Sequence, residues 1–233
     1  MSKITIAIDG YSSTGKSTVA RQLAKALDYI YVDSGAMYRA ITLFALQNDL
    51  IGKEQEGVDK AGLISLLPGI RLEFRKNHET GKADIWLNGE NVEQDIRKME
   101  VSSFVSMVSA LPEVRKKLVE QQRLLGKDKG VVMDGRDIGT VVFPDAELKL
   151  FMTASPKIRA TRRYKELLEK GETITYEEVL QNVESRDLAD STRKDSPLIK
   201  ADDAVEIDNS DMGEKEQFER ILNHARNLIK GEA

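Results

Sequence analysis

Residues 10 to 18 read GYSSTGKST, which matches the pattern G-x-x-x-x-G-K-[ST]. Glycine at Gly10 and Gly15 lets a backbone turn tightly and approach a ligand closely. In such a loop the N–H groups wrap around phosphate oxygens, and the helix behind it adds partial positive charge. Gly10, Tyr11, Ser12, Ser13, Thr14, Gly15, Lys16, Ser17 and Thr18 are therefore candidates to hold a nucleoside triphosphate such as ATP. Lys16 is placed to reach the β- and γ-phosphates, and Ser17 to offer its hydroxyl to Mg²⁺. The bland alternative is a Gly/Ser turn with a surface lysine. An apolar run before the loop and a helical pattern after it weigh against that. The loop alone says only that a triphosphate binds, because switch GTPases, transport ATPases and small-molecule kinases share it.

A second group of residues narrows the choice. Gly130 to Asp134 (GVVMD) is followed by Gly135-Arg136-Asp137, which puts an arginine at the end of a buried strand. Open α/β sheets bind ligands at the carboxyl ends of their strands, and an arginine there suits an anionic acceptor. Asp134 is a candidate acidic residue on the metal side. Arg39, Arg115, Arg159, Arg162 and Arg163 follow other element starts, and Arg186, Asp190 and Arg193 fall at i, i+4 and i+7 on one helical face. Taken singly, Arg159 and Arg163 read as solvated surface residues, and Arg186 with Asp190 as a helix ion pair worth a few tenths of a kcal/mol. Phosphoryl transfer accounts for the set as a whole. Charge spreads over the transferred oxygens, and positioning plus electrostatics supply almost all the catalysis. A phosphate acceptor has a second pKa of about 6 and needs little help from a base. No N-K-x-D segment for reading guanine is present.

The elements that must position these residues alternate strand and helix. Ile4 to Ile8 reads as a buried strand, and Lys16 to Leu27 as a helix with Val19, Leu23 and Leu27 on one face. Tyr29 to Val32 is a second strand, and a helix follows from Gly35. Between Gly57 and Val92 the pattern changes. Ile70, Leu72 and Phe74 alternate with charged residues, and Ile85 and Leu87 alternate again, with a turn expected at His78 to Gly81 and another at Asn88-Gly89. This predicts a small antiparallel insertion. Helical sequence resumes at Ile96, breaks at Leu111-Pro112 and stops near Gly126. Gly130 to Asp134, Leu148 to Met152 and Ala204 to Ile207 are further strands. Ser155-Pro156 and Thr175 with Glu178 open two helices, and a last amphipathic helix closes the chain.

The chain has 233 residues, no cysteine, two histidines and a formal net charge of -4. Disulfides, thiolate metal sites and a cysteine nucleophile are excluded. His78 and His224 are far apart and show no metal-ligand spacing, so both read as surface imidazoles. The acidic balance argues against a protein that coats nucleic acid polymers. No signal peptide and no apolar run long enough for a membrane helix are expected, which suits a cytoplasmic enzyme.

Three segments carry a resemblance. YVDSGAMYRA at 31–40, MDGRDIGTVVFPDA at 133–146 and SRDLADSTRKDSPL at 185–198 look like bacterial cytidylate kinases, and the likeness runs over nearly the whole chain. It implies an α/β fold: a P-loop kinase-type parallel sheet flanked by helices, with a small antiparallel β insertion in the monophosphate-binding region and a helical lid. It implies a single domain over 1–233, with a core of about 1–35, 97–155 and 195–233. The monophosphate-binding region is then about 36–96 and the lid about 156–194. The activity implied is ATP-dependent phosphorylation of CMP and dCMP, with Mg²⁺, in pyrimidine nucleotide metabolism. Ser34, Tyr38 and Arg39 match the family's monophosphate segment, and Arg39 with Arg136 would hold the CMP phosphate. Ser106, Arg115 and Asp137 match positions around the cytosine, with Arg193 nearby, and Asp190 and Arg186 the sugar side. Lys16, Arg136, Arg193 and the lid residue Arg162 would be catalytic, and Ser17 would face the metal. The family resemblance also suggests a monomer with no membrane or polymer partner. Two departures are visible. Tyr11-Ser12-Ser13-Thr14 is less rich in glycine and proline than in many relatives, and Ser17 stands where some members have glycine.

Cytosine chemistry points the same way. A carboxylate such as Asp137 can accept from the cytosine N4 amine, while Arg115 and Ser106 can donate to N3 and O2. Uracil reverses the polarity at positions 3 and 4. Two rivals remain at this level: a kinase for another small acceptor, and a nucleotide-binding regulator that transfers nothing.

Overall fold

The computed structural model of the protein describes residues 2–52, 57–77 and 82–231. The turn expected at His78 to Gly81 lies outside those residues. The chain divides into two compact units, Met1–Asp33 with Gln122–Ala233, and Ser34–Gln121.

The first unit is built on a five-stranded parallel sheet. Its strands are β1 (Thr5–Gly10), β2 (Ile30–Asp33), β6 (Val131–Gly135), β7 (Leu148–Thr153) and β8 (Val205–Asp208), in the order β2-β6-β1-β7-β8. All six residues of β1 and all five of β6 are buried. That is why TIAIDG and VVMDG read as continuous apolar runs: a parallel sheet is covered on both faces. Helix α1 (Lys16–Leu27) packs Val19, Ala20, Leu23 and Ala24 into a core with Ile6, Ile8, Leu148 and Leu150. The last helix, α8 (Glu214–Lys230), adds Ile221, Leu222 and Ala225 to the same core. Register fixes what meets at the carboxyl edge. Asp33 of β2 lies beside Asp134 of β6, and Asp9 of β1 beside Gly135.

Helices α6 (Pro156–Glu169) and α7 (Tyr176–Thr192) pack on each other in this unit. Their starts follow the sequence signals. The Ser155 hydroxyl accepts from the Ile158 N–H, and Thr175 and Glu178 form a complete capping box. Helix α7 stops one residue earlier than the i, i+4, i+7 spacing implies. Arg193 is its C-cap with φ -62° and ψ 145°, so it leaves the helix in an extended conformation. A short wide turn at Ile138–Val142, with i→i+5 hydrogen bonds from Val142 and Phe143, has no periodic signal in the sequence.

The second unit has its own core. Helix α2 (Ser34–Gln47) supplies Met37, Ala40, Ile41 and Ala45. The antiparallel sheet β3 (Leu72–Lys76), β4 (Ala83–Leu87) and β5 (Glu90–Asn91) supplies Leu72, Ile85 and Leu87. On the other face Glu73 and Arg75 of β3 meet Trp86 and the buried Asp84 of β4, so the alternation of charge holds for β3 and not for β4. A short helix of seven residues, α3 (Lys60–Leu66), capped by the Asp59 side chain, has no signal in the sequence analysis. The unit also takes in residues 97–121. Val105 and Val108 of α4 (Met99–Ser109), and Val114 and Leu118 of α5 (Pro112–Leu125), bury in one cluster with Met37 and Ile41 of α2.

Ile8 lies fully buried at the centre of the parallel sheet. Ile8→Ala is expected to lose about 2–5 kcal/mol of stability, read as a lower urea midpoint at unchanged slope.

Candidate active site

The loop between β1 and α1 closes around its own lysine. Gly10 has φ +142°, and a Cβ there would run into the Met152 carbonyl of the neighbouring strand, so the strand can turn into the loop only with glycine. Lys16 is 5% exposed, and its Nζ donates to the Tyr11 carbonyl and, at 3.4 Å, to the Thr14 hydroxyl. Burial pushes the Lys16 ammonium well below its usual range. Arg136 pushes it the same way, while Asp134 and Asp9 oppose. A buried ammonium in this setting has too little negative charge around it, and an anion in the loop supplies the missing part.

Two carboxylates sit at the strand ends beside this loop. Asp134 accepts from the Ser17 hydroxyl at 2.9 Å and from the Tyr31 hydroxyl at 2.8 Å. Burial raises Asp134 to about 6, and Asp33 next to it adds to the rise. Burial and the same two carboxylates push the Tyr31 phenol well up, so it stays a donor. A hydroxyl and two carboxylates at one corner make an all-oxygen donor set, the kind that suits Mg²⁺.

A guanidinium cluster faces the sheet end from α7. Arg136 Nε donates to Asp190 at 2.8 Å, and Arg193 Nη1 lies 3.9 Å from the other oxygen of that carboxylate. Burial alone would raise Asp190, but Arg136, Arg186 and Arg193 outweigh it and hold the carboxyl below its ordinary value. Arg186 is pushed down to about 10, by burial first and then by Arg136. Its Nη1 donates to the Ser12 hydroxyl of the loop at 3.1 Å. The structure thus brings Lys16, Ser17, Arg136, Arg186, Asp190 and Arg193 into one neighbourhood. Arg193 belongs to it despite leaving the helix, because its Nε is held by the Ser196 carbonyl at 2.7 Å. Asp137 is 3% exposed and opens the wide turn.

The arginines of α6 differ in their surroundings. Arg159 reads from sequence as a solvated surface residue, yet it is 2% exposed. It donates to the Ala154 carbonyl at 2.8 Å and the Ser12 carbonyl at 3.2 Å, and pairs twice with Asp187 at 3.0 and 2.6 Å. Its guanidinium also lies 5.1 Å from the centre of the Tyr11 ring. Arg163 pairs with Glu166 on its own helix. Arg162 reaches the loop after β8, donating to the Asn209 side chain at 3.0 Å and its carbonyl at 2.9 Å.

Asn209 was not singled out by the sequence. Its buried amide nitrogen donates to the Thr14 carbonyl at 2.7 Å and to Gln217 at 2.8 Å. One side chain therefore ties the phosphate loop, α6 and α8 together. Thr18, Gln22, Arg162, Asn209 and Met212 line a recess on that side of the loop. Asp9, Asp33, Tyr31, Asp187 and Gln217 were likewise unmarked. Asp9 stands next to Gly10, and Tyr31, Asp33 and Asp187 lie inside the segments at 31–40 and 185–198, which is the positional hint the sequence carries; Gln217 has none.

The remaining candidates lie in the second unit. Ser34 is 2% exposed at the first position of α2. Arg115 is buried with its guanidinium 5.3 Å from the Tyr38 ring centre and donates to the Ser109 carbonyl at 3.2 Å. The Ser106 carbonyl accepts from the Ser109 hydroxyl one turn away. Arg39 donates to the Ile96 carbonyl at 3.3 Å.

The family described as "Cytidylate kinase" matches residues 6–227. A protein named cytidylate kinase from Flavobacterium johnsoniae is 59% identical over 99% of this chain and 99% of its own length. One of the same name from Flavobacterium psychrophilum is 59% identical over 98% of this chain and all of its own. Another, from Phocaeicola vulgatus, is 55% identical over 99% of this chain and all of its own. The chain belongs to the cytidylate kinase family. The fold of this family member is the α/β one expected, a parallel sheet flanked by helices with a small antiparallel sheet. Among the described residues no helix is long and apolar enough to cross a membrane.

Two outcomes follow from this site. Arg159→Ala leaves Asp187 without its bidentate partner in a buried setting, and should cost about 3–5 kcal/mol in urea unfolding. Burial raises Asp9 from 3.8 to about 7, with Asp137 adding and two backbone N–H groups and Lys16 opposing. The native carboxyl then binds its proton more tightly than the unfolded one between pH of about 4 and 7. Its contribution to stability falls as pH rises through that window. Asp9→Asn does not titrate, so it should gain about 2–3 kcal/mol relative to the parent between about pH 5 and about pH 8, measured by urea unfolding at both.

Proposed function

We infer that the loop and the guanidinium cluster of the first unit serve a single in-line reaction. The protein transfers the γ-phosphate of ATP to the phosphate of CMP or dCMP, giving CDP or dCDP. The observation that carries this reading is the buried ammonium of Lys16, depressed by burial and by Arg136, inside a loop shaped for phosphates in a chain of this family.

In this mechanism the loop amides of Gly10 to Thr18 hold the donor phosphates, and Lys16 bridges their oxygens. The recess at Thr18, Gln22 and Asn209 is assigned to the donor nucleoside. Ser17, with Asp134 and Asp33 behind it, would hold Mg²⁺. When bound, the ion supplies neutralising charge on the donor phosphates. Arg136 and Arg193 stabilise the transferring group, with Asp190 holding the fork of Arg136 in place. Arg162 is assigned to the donor phosphates from the lid. No general base is required of the protein, because the attacking phosphate is already an anion at neutral pH.

For the acceptor we assign Ser34, Tyr38, Arg39 and Arg136 to the phosphate, and Ser106, Arg115 and Asp137 to cytosine. Arg186 and Asp190 are assigned to the sugar side. CMP should be preferred over UMP, since a uracil carbonyl facing Asp137 leaves a buried acceptor unpaired at about 1–3 kcal/mol. In functional terms, residues 36–96 are the monophosphate-binding region and 156–194 the lid, on a core of 1–35, 97–155 and 195–233. Lid closure would exclude water, which otherwise competes for the γ-phosphate. We assign the enzyme to the cytoplasm, as a monomer with no polymer or membrane partner.

The test is a coupled assay of ADP formation with CMP, dCMP, UMP and AMP. CMP and dCMP should turn over well, and UMP and AMP poorly. Arg136→Ala should lower kcat/KM for CMP by more than about tenfold, or 1.4 kcal/mol. A smaller loss would remove Arg136 from its role.

A further inference from the structure

We propose that Asp9 is a positioning residue for the acceptor half of the reaction: its carboxylate, at the end of β1, clamps the turn that presents Arg136 and Asp137. This deepens the functional reading above and rests on it.

Asp9 precedes the first glycine of the phosphate loop, yet both of its oxygens accept from amides outside that loop. Its Oδ1 accepts from the Ile138 N–H at 2.8 Å and its Oδ2 from the Gly139 N–H at 2.7 Å. These are the first amides of the wide turn Ile138–Val142. The opening N–H groups of any helical turn lack a partner within it. One carboxylate therefore satisfies two of them, from a strand 129 and 130 residues away in sequence. The same turn is closed on its other side by the Asp137 carbonyl, which accepts from Val141 at 2.9 Å and from Val142 at 3.2 Å. Asp137 is thus held by its carbonyl inside the turn, and Arg136 lies next to it in the chain.

Gly139 shows how close the fit is. A Cβ there would lie 3.2 Å from the Lys149 side chain and 3.4 Å from Asp9 Oδ2. A side chain at this position would press on the clamp. The charges around the carboxylate do not explain it as a stabiliser of the fold. Lys149 sends its ammonium to Asp203, and Asp137 repels Asp9 while Lys16 attracts it only as the smallest of the contributions. A buried carboxylate with this balance costs stability when ionised. What it offers in return is direction: a carboxylate accepts on both oxygens at once, which an amide cannot.

The experiment is steady-state kinetics of Asp9→Asn and Gly139→Ala at pH 8, with both substrates varied. Asparagine keeps the shape but turns one prong into a donor facing an N–H. Alanine attacks the same contact from the other side, and serves if Asp9→Asn fails to fold. Each is expected to raise KM for CMP by about tenfold or more while KM for ATP stays within about twofold. A parallel rise in both KM values, or a folded variant with neither changed, overturns the clamp. Arg136→Ala, measured alongside, separates the two ideas. If it raises KM for CMP and the clamp variants do not, the clamp alone fails. If Arg136→Ala leaves CMP kinetics intact, the assignment of Arg136 as an acceptor ligand fails, whatever the clamp variants show.

Discussion

The site is organised by the cost of burying positive charge. Lys16 is nearly sealed from solvent, and Arg136 and Arg186 lower both its affinity for a proton and each other's comfort. Buried charges of one sign are costly unless something of the other sign is near. The protein supplies part of that from Asp134 and Asp9 beside Lys16 and from Asp190 beside Arg136 and Arg186. The parallel sheet, the buried glycine turn and the carboxylates at the strand ends can all be understood as the means of holding this imbalance in place without relaxation. Preorganised charge of this kind is the main resource of an enzyme whose reaction involves little covalent work by the protein.

Three buried carboxylates each hold different neighbours. Asp134 accepts from the Ser17 and Tyr31 hydroxyls. Asp190 receives Arg136 and lies within reach of Arg193. Asp9 reaches across the strand end to two amides of the following turn. All three are buried, and each is kept ionisable by a different set of neighbours. Their environments push Asp134 and Asp9 up and Asp190 down. The acidic residue closest to the guanidinium cluster is therefore the one most firmly charged.

Much of this was legible in the sequence, and the exceptions have physical causes. Strands β1 and β6 announced themselves because burial on both faces removes polar residues from the run. The capping residues Ser155, Thr175 and Glu178 marked helix starts by chemistry that acts within four residues. The Gly10–Thr18 loop stood out because its glycines and lysine lie in one short segment, and Arg136 because it follows a buried strand, although its partner Asp190 lies 54 residues away. Arg159 was misjudged because its partners, Ser12 and Asp187, lie 147 and 28 residues away. Periodicity says which face of a helix a residue occupies, not what covers that face. Arg193 fitted a helical spacing that the backbone abandons one residue too soon. The wide turn at Ile138–Val142 and the Asn209 hub depend wholly on contacts made in three dimensions.

The hub at Asn209 has a consequence for the protein's durability. It works because one amide nitrogen gives both of its hydrogens away, to Thr14 and to Gln217, while its oxygen accepts from Arg162. Hydrolytic ageing of that amide to an acid would keep the oxygen that Arg162 uses. It would replace the donor by a negative acceptor set against the Thr14 carbonyl, inside the wall of the triphosphate pocket. A single slow chemical lesion, with no change in size and no broken chain, is then enough to loosen the loop from its scaffold. The burial of Asn209 also guards against this, since it keeps water from the one bond whose loss would matter most there.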